Sequence, residues 1–147
     1  MDIEIKKMTK EHLEQIKDIL QEQFDEFWNA NVLYKELENP LSDYIVAIQN
    51  GEVVGYAGIW QPIDEGHITN IVTKKDRRGK HIGTKMLEEI INLAKRKNLK
   101  NVTLEVNEHN EPAINLYKKY NFVEVGKRTK YYNNSDDAII MTLEFKK

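Results

Sequence analysis

The feature that most constrains this chain is a strand–helix–strand unit in its second half. Residues 68–73 form a β-rich run. Residues 82–97 place Ile82, Met86, Leu87, Ile90 and Ala94 on one helical face, and residues 102–106 (Val-Thr-Leu-Glu-Val) form a second β-rich run. A crossover between two strands of one sheet is right-handed in nearly all folds, so the two strands are expected to run parallel. In such sheets ligands bind beyond the carboxyl ends of the strands. Val72, the loop before the helix, Glu105 and Asn110 all fall at that end.

The remaining pattern supplies the partners of this unit. Residues 2–7 read as a short strand, and Thr9 caps a helix with a stripe of Leu13, Ile16, Leu20, Phe24 and Phe27. A shorter helix over 32–37 ends before Pro40. Residues 44–48 and 53–60 form a hairpin, because Asn50-Gly51 suits a type I′ turn. The strand that opens the parallel unit extends back to His67. Asn110 caps a helix with Pro112 in its first turn, which ends near Asn121, a residue that tolerates the left-handed cap. Residues 122–132 and 138–145 then make a hairpin joined by Asn133-Asn134-Ser135-Asp136.

Composition narrows the functional classes. The 147 residues, 40% of them apolar, suffice for one core, and no Pro-, Gly- or Ser-rich linker divides them, so residues 1–147 are expected to be a single domain. With 22 basic and 24 acidic residues the net charge is -2, which argues against nucleic acid as a partner. The absence of cysteine excludes disulfides, a thiol nucleophile and a thiolate zinc site. His12, His67, His81 and His109 lack metal-ligand spacing, so no metal is expected. The N-terminal residues carry no secretory pattern, and no apolar run approaches the ~20 residues that span a bilayer. The expectation is a cytoplasmic protein without a membrane partner.

The loop of residues 74–80 and the helix start that follows have the chemistry of a diphosphate site. Arg78-Gly79-Lys80-His81-Ile82-Gly83-Thr84 leads into helix amides that lack intrahelical partners and carry partial positive charge. Gly79 and Gly83 would admit a diphosphate, and Arg77, Arg78 and Lys80 add cations. Neither a Walker loop nor a G-x-G-x-x-G fingerprint is present. On spacing alone a solvated basic turn accounts for the loop equally well.

This loop resembles the acetyl-CoA signature Q/R-x-x-G-x-G/A of the GNAT acetyltransferases, with Arg78 first and Gly83 last. His81 stands at the middle glycine. From Gly66 to Leu143 the chain is similar to the RimI-type ribosomal-protein N-terminal acetyltransferases of that family. The matching pieces include Thr69-Asn70-Ile71-Val72, Leu104-Glu105-Val106, Asn110-x-x-Ala113-x-x-Leu116-Tyr117, Asn121-Phe122, Tyr131-Tyr132 and residues 137–141. The resemblance implies an α/β (α+β) fold around a mixed, mostly antiparallel sheet of about six or seven strands. A splayed parallel pair and about four helices complete it.

The resemblance also implies roles. Acetyl-CoA would be the donor. The backbone of Ile71, Val72 and Thr73 would hold its pantetheine arm, with the Val72 amide on the thioester carbonyl. Gly79, Lys80, His81, Ile82, Gly83 and Thr84, with Arg78, would hold the diphosphate, and Asn110 would contact the pantetheine. Members of the 74–78 charge run would lie near the 3′-phosphate. Glu105 would be the general base and Tyr117 the acid for the thiolate.

The residues themselves leave alternatives open. Glu105 is the one carboxylate in its strand, where partial burial is expected to raise its pKa; on spacing alone it reads as an exposed strand residue. Ala113, Leu116, Tyr117 and Tyr120 make a helical stripe, so Tyr117 also reads as core. Tyr131 and Tyr132 would line the acceptor side or merely pack the hairpin, and Phe27 and Trp28 read as core, with acceptor contacts as the alternative. The implied acceptor is the N-terminal α-amine of a ribosomal protein. A polyamine, amino sugar or amino acid is the alternative acceptor, and a non-catalytic acyl-CoA-binding module the alternative class. The enzyme would act as a monomer or homodimer.

Overall fold

The computed structural model describes residues 2–24, 29–79, 81–132 and 136–145, with only the main chain for 130–132. Among the described residues seven strands form one sheet: β1 Glu4–Lys7, β2 Ser42–Gln49, β3 Glu52–Trp60, β4 Glu65–Thr73, β5 Asn101–Asn107, β6 Val123–Tyr132 and β7 Asp136–Glu144. Their spatial order is β1-β2-β3-β4-β5-β7-β6. Every pairing is antiparallel except β4 with β5, as the crossover requires. The helices are α1 Lys10–Ile16, α2 Leu20–Phe24, α3 Ala30–Glu38, α4 Ile82–Arg96 and α5 Glu111–Lys119. The mixed sheet and its parallel pair therefore agree with expectation.

The sheet is buried on both faces, so its central strands read as apolar runs rather than a clean alternation. Along β2 the side chains divide between two cores. Tyr44 and Val46 join Leu13, Ile16, Leu20, Phe24, Leu33 and Tyr56 under α1–α3. Ile45 and Ala47 join Met86, Leu87, Ile90, Leu104 and Phe122 under α4 and α5. The α4 stripe is buried as its periodicity requires, with Ile91 added.

Local chemistry sets the element ends. Thr9 Oγ1 accepts from the His12 amide at 3.3 Å while His12 Nδ1 accepts from the Thr9 amide at 2.9 Å, a capping box closed by histidine. Asn50 and Gly51 have φ of 52° and 78°, the mirror-turn geometry of the β2–β3 hairpin. Asn121, at φ 74°, takes the left-handed conformation after α5.

Two expected boundaries are corrected. The helix that Thr9 caps is two helices, because the Ile19 amide bonds to Ile16 carbonyl at 3.0 Å and tightens the chain after Ile16. Its stripe nevertheless continues through Leu20 and Phe24, both buried; Phe27 lies outside the described residues. Among the described residues the α-helices number five, in keeping with the expected about four. The last strand begins at Asp136 rather than 138, since Tyr132 pairs with Asp136. Among the described residues no helix is long and apolar enough to cross a membrane.

Met86 is fully buried between α4 and the sheet. Met86→Ala is expected to cost about 2–5 kcal/mol of unfolding free energy, measured by urea denaturation.

Candidate active site

The site begins where the sheet divides. The parallel ladder joins only Glu65–His67 to Asn101–Thr103, and beyond it β4 and β5 diverge. A cleft of about 1440 Å³ fills the gap, bounded by both strands, the start of α4 and the start of α5. Ile71, Val72, Thr73, Arg78, Gly79, His81, Ile82, Gly83, Thr84, Glu105, Asn110 and Tyr117 all line it. Lys80, Phe27 and Trp28 lie outside the described residues, as do the side chains of Tyr131 and Tyr132.

At one end of the cleft sits the start of α4. His81 occupies its N-cap position at φ 63°, and no side chain caps the helix there. This left-handed conformation explains the preference of the signature for glycine at that place: a Cβ costs about 1–2 kcal/mol in it. A Cβ on Gly83 would meet only Thr73 Oγ1 at 3.7 Å, an ordinary contact. Nothing inside the chain demands glycine at 83, so the missing side chain leaves room for a ligand. Uncapped amides beside that room fit a diphosphate.

The basic run before this helix is only partly available to an anion. Glu52 on β3 accepts from Lys74 Nζ, and from Arg77 Nη2 at 2.9 Å. Arg77 also donates to Gln49 Oε1 at 3.3 Å and pairs with Asp76 at 2.8 Å. These bonds tie the 3-10 turn Lys75–Arg77 to the β2–β3 hairpin and largely neutralise Lys74 and Arg77. Arg78 reaches the cleft. Arg77 also lines the cleft, with its guanidinium already paired to Glu52 and Asp76.

At the β5 side stands Glu105, whose side chain is 11% exposed. Val102, Leu104 and Val106 turn into the core under α4, so Glu105 points to the opposite face of the sheet. His67 lies on the same face of β4, in register with Thr103, and its Nε2 is 2.8 Å from Glu105 Oε1. A carboxylate has no proton to give, so Nε2–H is the donor. Arg128 Nε on β6 lies 3.7 Å from Glu105 Oε2. The hydrogen bond from His67 holds the Glu105 carboxyl below the usual carboxylate range; burial opposes this, and the charges of His67 and Arg128 add to it. The expected rise in its pKa is thus reversed, because burial comes with a charge-assisted donor.

His67 and Arg128 were not accessible to motif reading. His67 enters the sequence only as a histidine without metal spacing. Its signal is positional: at the start of a strand parallel to β5, two residues short of Glu105 in register, it must share that carboxylate's face. Tyr117 is buried, its ring tilted against that of Phe122 at a centroid distance of 5.7 Å, and it also lines the cleft. Asn110 Oδ1 accepts from the Ala113 amide at 3.2 Å and caps α5.

A split parallel pair, an uncapped helix start beside a glycine and a shielded carboxylate thus share one cleft. The chain belongs to the GNAT acetyltransferase family, since the profile of the Acetyltransferase (GNAT) family matches residues 13–122. It is an N-acetyltransferase, with acetyl-CoA as donor. It is 36% identical over 139 residues to the candidate ribosomal protein bS18-alanine N-acetyltransferase of Bacillus subtilis (strain 168), covering 93% of this chain and 92% of that protein. It is 34% identical to N-alpha-acetyltransferase RimI of Mycobacterium tuberculosis, over 80% of this chain and 75% of that one. Its fold is similar to the crystal structure of the ribosomal-protein-S18-alanine N-acetyltransferase from Escherichia coli. The TM-score is 0.88 at 26% identity, covering 97% of this chain and 94% of that one.

Two outcomes test this geometry. His81→Gly is expected to raise unfolding free energy by about 0.5–1 kcal/mol, the relief of left-handed strain less the entropy glycine gains when unfolded. A carboxyl depressed on folding stabilises the protein above its unfolded pKa and loses that contribution as pH falls through its folded pKa. Below about pH 5 the parent should therefore lose stability more steeply than Glu105→Gln, as read by urea unfolding at a series of pH values.

Proposed function

We propose that the chain acetylates the N-terminal α-amine of a protein, with a ribosomal protein as in its RimI-type relatives the acceptor. One observation carries the reading: an ionised, shielded carboxylate, Glu105, shares a cleft with the uncapped start of α4. The names of the curated relatives support a peptide N-terminus over a small amine. The chain would work as one domain in the cytoplasm, as a monomer or homodimer.

Acetyl-CoA supplies an acetyl group already activated as a thioester. The amides of Gly79–Thr84 bind the diphosphate, with Arg78 beside them. The main chain of Ile71–Thr73 would orient the pantetheine arm and offer a preset donor for the thioester oxygen. Asn110, whose Oδ1 serves α5, has its NH₂ left for the same arm.

An α-amine has a pKa of about 7.7–8.0, so near neutrality it must lose a proton before it can attack. Glu105 takes that proton, directly or through a water, while the His67 N–H holds the carboxylate in place. The Tyr117 hydroxyl, at the polar edge of a buried ring, protonates the departing thiolate. Attack is direct, with no enzyme nucleophile.

Glu105→Gln is expected to lower kcat by about 10²–10³-fold, most below about pH 8, with acetyl-CoA affinity unchanged by calorimetry. An acceptor screen should show an Ala-initiated peptide acetylated far faster than spermidine, glucosamine or free alanine. The opposite order would overturn the assigned acceptor.

A further inference from the structure

The hydroxyl of Tyr44 joins two consecutive residues of β4. It donates to Asn70 Oδ1 at 2.5 Å, and Thr69 Oγ1 lies 2.9 Å from it. A tyrosine hydroxyl has one proton, so with that proton on Asn70 the Thr69 hydroxyl is the donor to Tyr44. Neighbouring residues of a regular strand point to opposite faces. Both reach one oxygen here because β4 carries an extra residue: Gly58 pairs with Asn70 while Ile59 pairs with Ile68, leaving Thr69 as a bulge. The cores record the same slip. Ile68 and Ile71 both pack under α4, whereas Val72 packs under α1–α3.

Tyr44 and Asn70 are both buried. The Tyr44 ring lies over Gly58, where a Cβ would stand 2.2–2.6 Å from ring atoms. A phenylalanine ring would fill the same space without burying a hydroxyl. What the polar group adds is register: an extra residue in a strand can slide along it and reverse every later side chain, and bonds to 69 and 70 together fix it. The bulge falls where the β4–β5 ladder has just ended, immediately before Ile71–Thr73.

We propose that Tyr44 is a positioning residue for the acetyl donor, its hydroxyl locking the β4 bulge and so aiming the main chain of Ile71–Thr73 into the cleft. This rests on the assignment of that segment to the pantetheine arm. Tyr44 acts through Thr69 and Asn70 and does not itself meet the coenzyme.

Tyr44→Phe, which keeps the ring, tests the proposal. The kcat/KM for acetyl-CoA should fall about tenfold. Affinity for 3′-phosphoadenosine 5′-diphosphate, which lacks the arm, should stay within about twofold, since α4 is untouched. Hydrogen exchange at the amides of Ile71–Thr73 should speed about tenfold. Thr69→Val should move all three in the same directions, and it decides the matter if Tyr44→Phe does not fold. Parent-like exchange at 71–73, or donor kcat/KM within about twofold of the parent in a folded variant, would overturn the proposal. If the parent acetylates no peptide, the assigned acceptor fails instead, and the exchange measurement alone decides for or against the lock.

Discussion

The brevity of one hydrogen-bonded ladder organises this molecule. β4 and β5 are joined over only three residues each, then part. Backbone groups inside a protein must find partners, so an opened ladder in the middle of a buried sheet is tolerated only where something else completes it. Here β4 stays bonded to β3 and β5 to β7, so each strand keeps one partner and offers its free side to the cleft. The sheet is thereby both scaffold and binding edge. The α4 crossover brings a helix start to the same opening, so both sides of the cleft belong to a single supersecondary unit.

Electrostatics divides the labour along the cleft. At the α4 end two cations of the preceding turn are engaged in structure, since Glu52 holds Lys74 and Arg77 against the β2–β3 hairpin. The backbone amides at the start of α4 keep a direction set by the helix rather than by flexible side chains. At the β5 end a carboxylate is kept ionised by an imidazole N–H and a guanidinium despite limited access to water. An ionised carboxylate in such a place stays ready to accept a proton throughout the neutral range, but as a weak base. The His67 contact also fixes one oxygen of that carboxylate, while Arg128 lies by the other.

His81 shows how one position can answer to two demands. Its left-handed φ is required by the turn into α4, which glycine meets without cost and histidine with strain. Strain at a ligand-binding turn persists when the surrounding structure over-determines it. The tie between the Lys75–Arg77 turn and Glu52 on one side, and the buried Ile82 on the other, supplies that constraint.

Much of the fold was legible because periodicity and turn chemistry are local: the α4 stripe, the Asn50-Gly51 hairpin, the Thr9 and Asn110 caps and the parallel unit all follow from neighbouring residues. The cleft residues were legible through the loop and strand motifs that carry the family resemblance. The break after Ile16 was not, since its apolar stripe runs on unbroken while one 3-10 bond shortens the chain. Nor was the state of Glu105, because His67 and Arg128 lie 38 and 23 positions away along the chain. By itself the sequence determined the elements, their order and the crossover hand. Only the tertiary structure decided which cations are already paired, which face the carboxylate shares with an imidazole, and where β4 gains its extra residue. Those depend on register between distant strands, and register is a property of packed pairs.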